Sequence, residues 1–170
     1  MDYLIVVDMQ NDFIDGALGT KEAQAIVPYV KKKIETFPGK VFFTRDTHRE
    51  DYMQTQEGRN LPVPHCIRDT EGWQIRKELD ELRTTAAIDK DTFGARDLVK
   101  VLGEEEKLDS VTFLGLCTDI CVISNVMLVK AFFPEVPVTV EAAGCAGVTP
   151  RSHATALDAM EAVQVKVINR

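Results

Sequence analysis

The strongest chemical signal in the sequence is Cys121, which lies in the segment Gly115–Val122, reading GLCTDICV. The apolar run Val111–Leu114 predicts a strand that ends directly before this segment. The run Ile120–Phe133 is apolar on nearly all sides and predicts a buried helix. A thiol in the first helical turn lies at the positive end of the helix dipole, which favours the nucleophilic thiolate. The segment therefore predicts a nucleophilic cysteine, with a buried structural cysteine as the alternative interpretation.

Two charged residues follow other predicted strands. Asp8 comes directly after the opening strand Tyr3–Val7, and Lys90 follows a short apolar strand near 84–89. An acid at the carboxyl end of such a strand points into the crevice where open α/β sheets bind ligands. A lysine close to a thiol and a carboxylate favours the ionised form of both. Taken singly, Asp8 could be a loop cap and Lys90 a solvated surface lysine.

A metal-ligand pattern lies in the segment 45–70, which shows little periodicity. Asp46 and His48 form an Asp-x-His pair, and His65 supplies a second imidazole. Two histidines and one carboxylate are a common ligand set for transition metals, including zinc, iron and manganese. Because long irregular loops in compact domains are usually functional, this loop is a candidate metal site.

Composition limits the classes of function. The chain of 170 residues predicts one domain, 1–170, large enough to bury a core. A net charge of -7 argues against nucleic acid or an anionic membrane as the main partner. No stretch is long enough to span a bilayer and the N-terminus is unlike a signal peptide, so we expect a cytoplasmic protein. No G-x-G-x-x-G follows the first strand, so a dinucleotide cofactor is not indicated.

Four other residues with reactive or aromatic side chains are predicted to have no catalytic role. Cys66 and Cys145 are interpreted as incidental, because the sequence has no paired C-x-x-C of a zinc ribbon or redox motif. Trp73 is predicted to pack in the fold. His153, early in the last predicted helix, is predicted to be a surface residue.

Strands alternate with helices along the chain, which is typical of a parallel sheet covered on both faces. We therefore expect an α/β fold, a single-domain Rossmann-like three-layer sandwich with a mostly parallel six-stranded sheet. Pro28 and the pair Thr149-Pro150 indicate helix starts, and Thr118 and Asp119 are N-cap candidates. The predicted strands are 3–8, 40–44, 84–89, 111–114, 136–141 and 163–168, and the predicted helices are 28–37, a short one from 71 or 72, 94–102, 120–133 and one from 150 through 160.

Together these motifs resemble the isochorismatase-like cysteine hydrolases, and within them the nicotinamidases. The resemblance covers almost the whole chain, and the motifs follow one another in the family's order. Five short segments in register are a specific signal, although each is weak or moderate alone. The segments are Val7–Phe13 (VDMQNDF), Thr44–His48 (TRDTH), Pro64–Cys66 (PHC), Lys90–Phe93 (KDTF) and Gly115–Val122 (GLCTDICV).

The resemblance implies a catalytic triad and an oxyanion hole. Cys121 is then the nucleophile, Asp8 the general base and acid, and Lys90 the third catalytic residue. Backbone N–H groups of Cys117 and Cys121 are implied to stabilise the oxyanion, and the family often has a cis peptide bond at Leu116–Cys117. A cysteine at position 121 also argues against true isochorismatase activity, since those members lack the nucleophile.

The resemblance also implies the metal ligands. Asp46, His48 and His65 are implied to hold a divalent metal, either zinc, iron or manganese. Glu57 is implied by some relatives as a further or water-mediated ligand, with a solvated surface glutamate as the alternative.

The substrate implied by the resemblance is nicotinamide, hydrolysed to nicotinate and ammonia through a thioester. In nicotinamidases the metal chiefly binds the pyridine nitrogen, and Phe13 matches one aromatic wall of the ring pocket. Pro62 stands where the family commonly has a second aromatic residue. Another small amide or an N-carbamoyl compound is the alternative substrate, and a non-catalytic metal- or thiol-binding protein is the alternative class. Relatives are often dimers or larger, so the resemblance implies that this chain can form a homo-oligomer.

Overall fold

The computed structural model describes residues 1–170, which form six strands and seven α-helices. The strands are β1 (Asp2–Val7), β2 (Lys40–Asp46), β3 (Ile88–Lys90), β4 (Ser110–Leu116), β5 (Val138–Ala146) and β6 (Lys166–Ile168). The helices are α1 (Asn11–Ile14), α2 (Lys21–Thr36), α3 (Gln56–Asn60), α4 (Lys77–Asp80), α5 (Arg96–Gly103), α6 (Ile123–Phe132) and α7 (Pro150–Ala162). A 3-10 turn spans Tyr52–Gln54, and a π-helical turn spans Thr118–Val122.

All six strands lie in one sheet in the order β3-β2-β1-β4-β5-β6, and every neighbouring pair is parallel. The predicted single-domain α/β fold is confirmed, and the sheet is wholly rather than mostly parallel. Helix α2 packs against α1 and α4, whereas α6 packs against α5 and α7. The strand order reverses between β1 and β4, and open α/β sheets bind ligands at such a reversal.

The two strands at the reversal approach each other closely. Gly115 in β4 has a φ of +122°, and a Cβ atom there would lie 2.1 Å from the carbonyl oxygen of Val7 in β1. Only glycine fits this position, because a side chain would collide with the neighbouring strand. The carboxyl ends of β1 and β4 are therefore held side by side.

Helix α2 differs most from its prediction. It begins at Lys21 rather than at 28, because the Thr20 side chain caps it by accepting a hydrogen bond from the Ala23 N–H at 3.0 Å. Pro28 lies inside this helix rather than in its first turn. The proline was therefore a misleading start signal, and the Thr20 cap was the correct one.

Two other regions correct the sequence-based boundaries. The predicted helix near 71 is absent, and the short helix α4 forms at Lys77–Asp80 instead. Trp73 is buried as predicted, with the Arg45 guanidinium 3.6 Å from its ring centroid. Helix α6 is buried on one side only, since Phe132 is 62% exposed, so its apolar composition overstated its burial. No helix is both long and apolar enough to cross a membrane.

Candidate active site

The three residues predicted as a triad meet at the carboxyl edge of the sheet. Asp8 directly follows β1, Lys90 ends β3, and Cys121 lies in the π-helical turn after β4. The Lys90 Nζ atom is 2.7 Å from Asp8 Oδ2 and 3.4 Å from Cys121 Sγ. All three side chains are buried, so water screens their interactions weakly. The structure thus places a thiol, an ammonium and a carboxylate in direct contact.

The Asp8 carboxylate is only partly satisfied by hydrogen bonds. Its Oδ1 atom accepts a hydrogen bond from the Thr44 hydroxyl at 2.7 Å. Its Oδ2 atom touches the Lys90 ammonium but accepts no well-aligned hydrogen bond. Burial raises the pKa of Asp8 above its ordinary value, although the Lys90 charge acts in the opposite direction. This carboxylate is therefore suited to accept a proton at Oδ2.

Lys90 is shared among several acceptors. Besides Asp8 and Cys121, its ammonium contacts Asp46 Oδ1 at 3.2 Å and donates to the carbonyl oxygen of Thr92 at 3.1 Å. Burial alone would lower the pKa of Lys90, but Asp8, Cys121 and Asp46 together raise it well above its ordinary value. The side chain therefore stays a cation at neutral pH.

The resting state of Cys121 differs from the expectation of a thiolate. Burial raises the pKa of the Cys121 thiol well above its ordinary value, and the carboxylates of Asp8 and Asp46 raise it further. Lys90 acts in the opposite direction but does not outweigh these effects. The helix-dipole argument omitted the burial of the thiol, which is the largest effect, and the two buried carboxylates. A neutral thiol beside a carboxylate requires that carboxylate as its base.

The turn that carries the thiol is irregular. Residues Thr118–Val122 form a π-helical turn, a distortion that often occurs at functional sites. The Cys117 carbonyl accepts hydrogen bonds from the N–H groups of Ile120 and Val122, at 3.1 and 3.0 Å. The Cys117 N–H has no acceptor within the protein. The Leu116–Cys117 peptide bond is cis, as the resemblance implied.

The two predicted N-cap residues serve other contacts. Cys117 occupies the N-cap position, and no side chain caps the turn. The Asp119 carboxylate instead accepts a hydrogen bond from the Val148 N–H at 3.1 Å. Thr118 Oγ1 lies 2.7 Å from Nδ1 of His153. His153 is thus half-buried against the turn, which corrects its prediction as a surface residue.

Next to the triad, four side chains converge on one point. Asp46, His48, Glu57 and His65 each offer one ligand atom, and these atoms all lie within 4.8 Å of one another. Glu57 Oε1 is 3.5 Å from Nε2 of His48 and 3.6 Å from Nε2 of His65. Helix α3 brings Glu57 to this position, so the structure places it in the cluster rather than in solvent.

The donor set fits a divalent metal. His65 Nδ1 is 2.8 Å from the carbonyl oxygen of Val63, which can only accept, so Nδ1 carries the proton and Nε2 is free as a ligand. His48 Nε2 is buried without a well-aligned hydrogen bond. Burial alone would raise the pKa of Asp46, but Lys90 and the two imidazoles hold it well below its usual range. Two imidazoles and two carboxylates match the ligands that zinc, iron and manganese accept.

A cavity of about 320 Å³ opens onto both groups. Its lining includes Cys121, Asp46, Glu57 and His65, and most of its wall is apolar. Phe13 lines the wall as predicted, with its ring centroid 5.4 Å from that of His65. No lysine or arginine lines the cavity. Pro62 does not line it either, and the neighbouring Leu61 does, together with Leu18, Asn60, Phe93, Ile120 and Val148.

Several supporting residues were not predicted. The Gln10 side chain holds the Asp46 backbone by accepting from its N–H at 2.7 Å and donating to its C=O at 2.8 Å. The Tyr52 ring centroid lies 4.7 Å from that of His48 and 5.0 Å from that of His65. Gln10, Thr44 and Phe93 all belong to segments that carried the resemblance, which was the available signal. Tyr52 had no such signal, because only the folded loop brings it to the histidines.

The whole chain matches one protein family. Residues 2–170 match the model of the isochorismatase domain, so the chain belongs to the isochorismatase family, as its motifs indicated. No curated protein is similar enough in sequence to be matched to it.

Solved structures place the chain near amidases of this family. It is similar to a pyrazinamidase of Pyrococcus horikoshii in complex with zinc, with 26% identity, a TM-score of 0.83 and 99% of each chain covered. A pyrazinamidase/nicotinamidase from Streptococcus mutans gives 26% identity and a TM-score of 0.83, covering 99% of this chain and 100% of that one. An N-carbamoylsarcosine amidase from Thermoplasma acidophilum gives 25% identity and a TM-score of 0.78, covering 98% and 94%. The predicted relationship to nicotinamidases within the family is therefore confirmed.

Proposed function

We propose that this protein is a metal-assisted cysteine amidohydrolase that converts nicotinamide to nicotinate and ammonia. The observation that carries the proposal is the contact of Lys90 Nζ with both Asp8 and Cys121, because Cys121 itself lines a single apolar cavity. The same cavity reaches the four-residue metal cluster, so one small substrate can contact both groups. The similarity to pyrazinamidases and nicotinamidases supports this assignment.

The triad residues divide the reaction between them. Asp8 Oδ2 takes the proton of the Cys121 thiol as the sulfur attacks the amide carbonyl, forming the C–S bond. The Lys90 ammonium stabilises the negative charge during this transfer, and the N–H groups of Cys117 and Cys121 stabilise the oxyanion. Asp8 then gives its proton to the leaving nitrogen, the C–N bond breaks and ammonia departs. Asp8 next accepts a proton from the water whose oxygen attacks the thioester carbonyl. It returns this proton to the sulfur as the C–S bond breaks, which releases the carboxylic acid and the free thiol.

The metal would be held by Asp46, His48, Glu57 and His65. When bound, a zinc, iron or manganese ion supplies a Lewis acid for a ring nitrogen of the substrate. The protein contributes the orientation, since Phe13 packs against His65 and offers a flat wall for an aromatic ring.

The lining of the cavity favours an uncharged aromatic amide over an N-carbamoyl amino acid. Such carbamoyl compounds carry a carboxylate, and the apolar part of the wall offers that carboxylate no cationic side chain as a partner. No lysine or arginine lines this cavity, whereas its walls are apolar and partly aromatic. Other small uncharged amides are compatible with the same site and form the second candidate class.

Ammonia release from a panel of amides tests the proposal. Purified protein is supplied with zinc, iron or manganese and assayed with nicotinamide, benzamide and N-carbamoylsarcosine, with Cys121→Ala as the control. We expect nicotinamide to be the best substrate and benzamide, which lacks the ring nitrogen, to be slower by about two orders of magnitude or more. Equal rates for nicotinamide and benzamide would contradict nicotinamide specificity. No ammonia from any amide would favour a non-catalytic binding protein.

A further inference from the structure

Asn125 is a fully buried polar side chain directly behind the nucleophile. It lies in α6, one helical turn after Cys121, and its Nδ2 atom donates to the Cys121 carbonyl oxygen at 2.8 Å. Its Oδ1 atom accepts a hydrogen bond from the Ala95 N–H at 2.8 Å. The Nδ2 atom also donates to the Phe93 carbonyl oxygen at 3.4 Å. One side chain thus satisfies three backbone groups.

These three backbone groups belong to two different catalytic elements. Cys121 is in the π-helical turn, whereas Phe93 and Ala95 lie between β3 and α5, in the segment that follows Lys90. The Lys90 ammonium is tied to the same segment through the Thr92 carbonyl oxygen, at 3.1 Å. Asn125 therefore connects the backbone of the nucleophile to the backbone that follows the catalytic lysine.

A buried asparagine in a helix interior needs a physical reason. Asparagine has a low helix propensity, and a buried amide is tolerated only when its hydrogen bonds are made. Because its partners here are main-chain groups on two elements, the amide fixes the distance between those elements more firmly than an apolar contact would. The quantity at stake is the 3.4 Å separation between Lys90 Nζ and Cys121 Sγ.

We propose that Asn125 is a positioning residue, which holds the Cys121 turn and the Lys90 segment in reactive register. The proposal rests on the roles of Cys121 and Lys90 in the proposed function. It assigns to Asn125 no contact with the substrate, since the side chain does not line the cavity. Its effect acts through the geometry of the thiol, the ammonium and the carboxylate.

Two substitutions separate positioning from simple hydrogen-bond satisfaction. Asn125→Leu keeps the branching at Cγ, although the leucine side chain is larger, and it removes all three hydrogen bonds. Asn125→Ser keeps a donor for the Cys121 carbonyl oxygen, because a helical serine bonds the carbonyl four residues earlier, as Ser124 does to Ile120 at 2.6 Å. The shorter serine does not reach Ala95 or Phe93. If Asn125 connects the two elements, serine fails as leucine does, and if it only satisfies Cys121, serine restores function.

The control variant is Tyr29→Phe, which removes a hydrogen bond to the fully buried Glu141 on a different part of the sheet. The decrease in its melting temperature measures how much the loss of one buried hydrogen bond destabilises the protein when the active site is unchanged. Each variant is compared with the wild type for melting temperature, for kcat and KM of amide hydrolysis, and for the rate at which iodoacetamide alkylates Cys121. The alkylation rate is followed by mass spectrometry of the peptide that contains Cys121.

We expect both Asn125 variants to lower kcat and the alkylation rate by roughly ten- to a hundredfold, because small displacements of reacting groups have effects of this size. Tyr29→Phe should change neither rate by more than about twofold. Wild-type rates in Asn125→Leu, or restored rates in Asn125→Ser, would overturn the proposal. If the leucine variant fails to fold, the smaller serine variant carries the test. Because alkylation needs no substrate, it remains decisive even if nicotinamide is not hydrolysed.

Discussion

Two fully buried carboxylates on the same sheet, Asp8 and Glu141, have opposite properties. Each faces a lysine, Lys90 for Asp8 and Lys33 for Glu141. Burial raises the pKa of both, but the outcome differs, because the pKa of Glu141 ends below its ordinary value and that of Asp8 above it. Both side chains are excluded from solvent, but Asp8 lies deeper in the protein, so the difference reflects the stronger effect of its burial as well as its neighbours.

The donors around Glu141 have no second carboxylate as a partner. Its Oε2 atom accepts hydrogen bonds from the Tyr29 hydroxyl at 2.9 Å and from Asn169 Nδ2 at 2.7 Å, and its Oε1 atom faces the Lys33 ammonium. Lys90, by contrast, is shared among Asp8, the carboxylate of Asp46 and the Cys121 thiol. A carboxylate with dedicated donors holds its charge and stabilises the fold. One that competes for its cation takes up a proton readily, as a general base must.

Removing the charge of each carboxylate should have very unequal effects on turnover. We expect Asp8→Asn to lower kcat by about 10²–10⁴-fold, because the amide cannot accept the Cys121 proton. The matched variant Glu141→Gln should keep kcat within about threefold of the wild type. Ammonia release under saturating substrate measures both. Similar losses in the two variants would mean that Asp8 acts only through the fold.

The two lysines that pair with these carboxylates, Lys90 and Lys33, can be compared in the same way. Lys90→Met roughly keeps the side-chain volume and removes the ammonium, so kcat should fall by about 10²-fold or more. The pH at which iodoacetamide alkylates Cys121 should also rise, because Lys90 is the group that lowers the pKa of this thiol. Lys33→Met is the control and should leave both properties unchanged. An unaltered alkylation profile in Lys90→Met would place Lys90 outside the catalytic unit.

The three histidines can be compared by the amount of metal that their variants retain. His48→Ala and His65→Ala should each lose bound metal, and KM should rise at least as much as kcat falls if the metal mainly orients the ring. His153→Ala should retain the metal, because His153 contacts Thr118 and not the cluster. Elemental analysis of the purified variants reports metal content without relying on activity. Stoichiometric metal in both cluster variants would refute this site.

Much of the fold and the site could be predicted from the sequence. The strand pattern predicted the parallel sheet, and residues that directly follow strands, such as Asp8 and Lys90, could be assigned because topology alone brings strand ends together. What could not be predicted depends on contacts across the fold. For Glu57 the sequence left two interpretations open, a metal ligand or a solvated glutamate, and the position of helix α3 decides between them. The raised pKa of Cys121 depends on its burial and on the carboxylates of Asp8 and Asp46.

The same limit applies to residues that support the site from a distance. Asn125 follows Cys121 by one helical turn, but nothing in the sequence indicated that Phe93 and Ala95 would lie against it. His153 was assigned to the surface because its contact, Thr118, lies far away in the chain. The predicted start of helix α2 was too late because Pro28 was taken as a first-turn residue, whereas Thr20 is the residue that caps the helix.

The smallest expected effect concerns stability against pH. Because the folded protein holds the pKa of Glu141 below its unfolded value, this group contributes stability above the unfolded pKa, and the contribution is lost as pH falls through the folded pKa. Asp8 acts with the opposite sign. Because its pKa is raised in the folded protein, the folded state becomes less stable as pH rises above the pKa of Asp8 in the unfolded chain.

Glu141→Gln should therefore lower the free energy of unfolding by about 1–3 kcal/mol at neutral pH. The difference in the free energy of unfolding between Glu141→Gln and the wild type should shrink towards zero under acidic conditions. For Asp8→Asn, the free energy of unfolding should fall relative to that of the wild type as pH is lowered over the same range. Urea unfolding at a series of pH values from neutral to acidic, with the wild type measured in parallel, gives both differences. Parallel pH dependences in the two variants would show that the two carboxylates do not differ in the way their neighbours indicate.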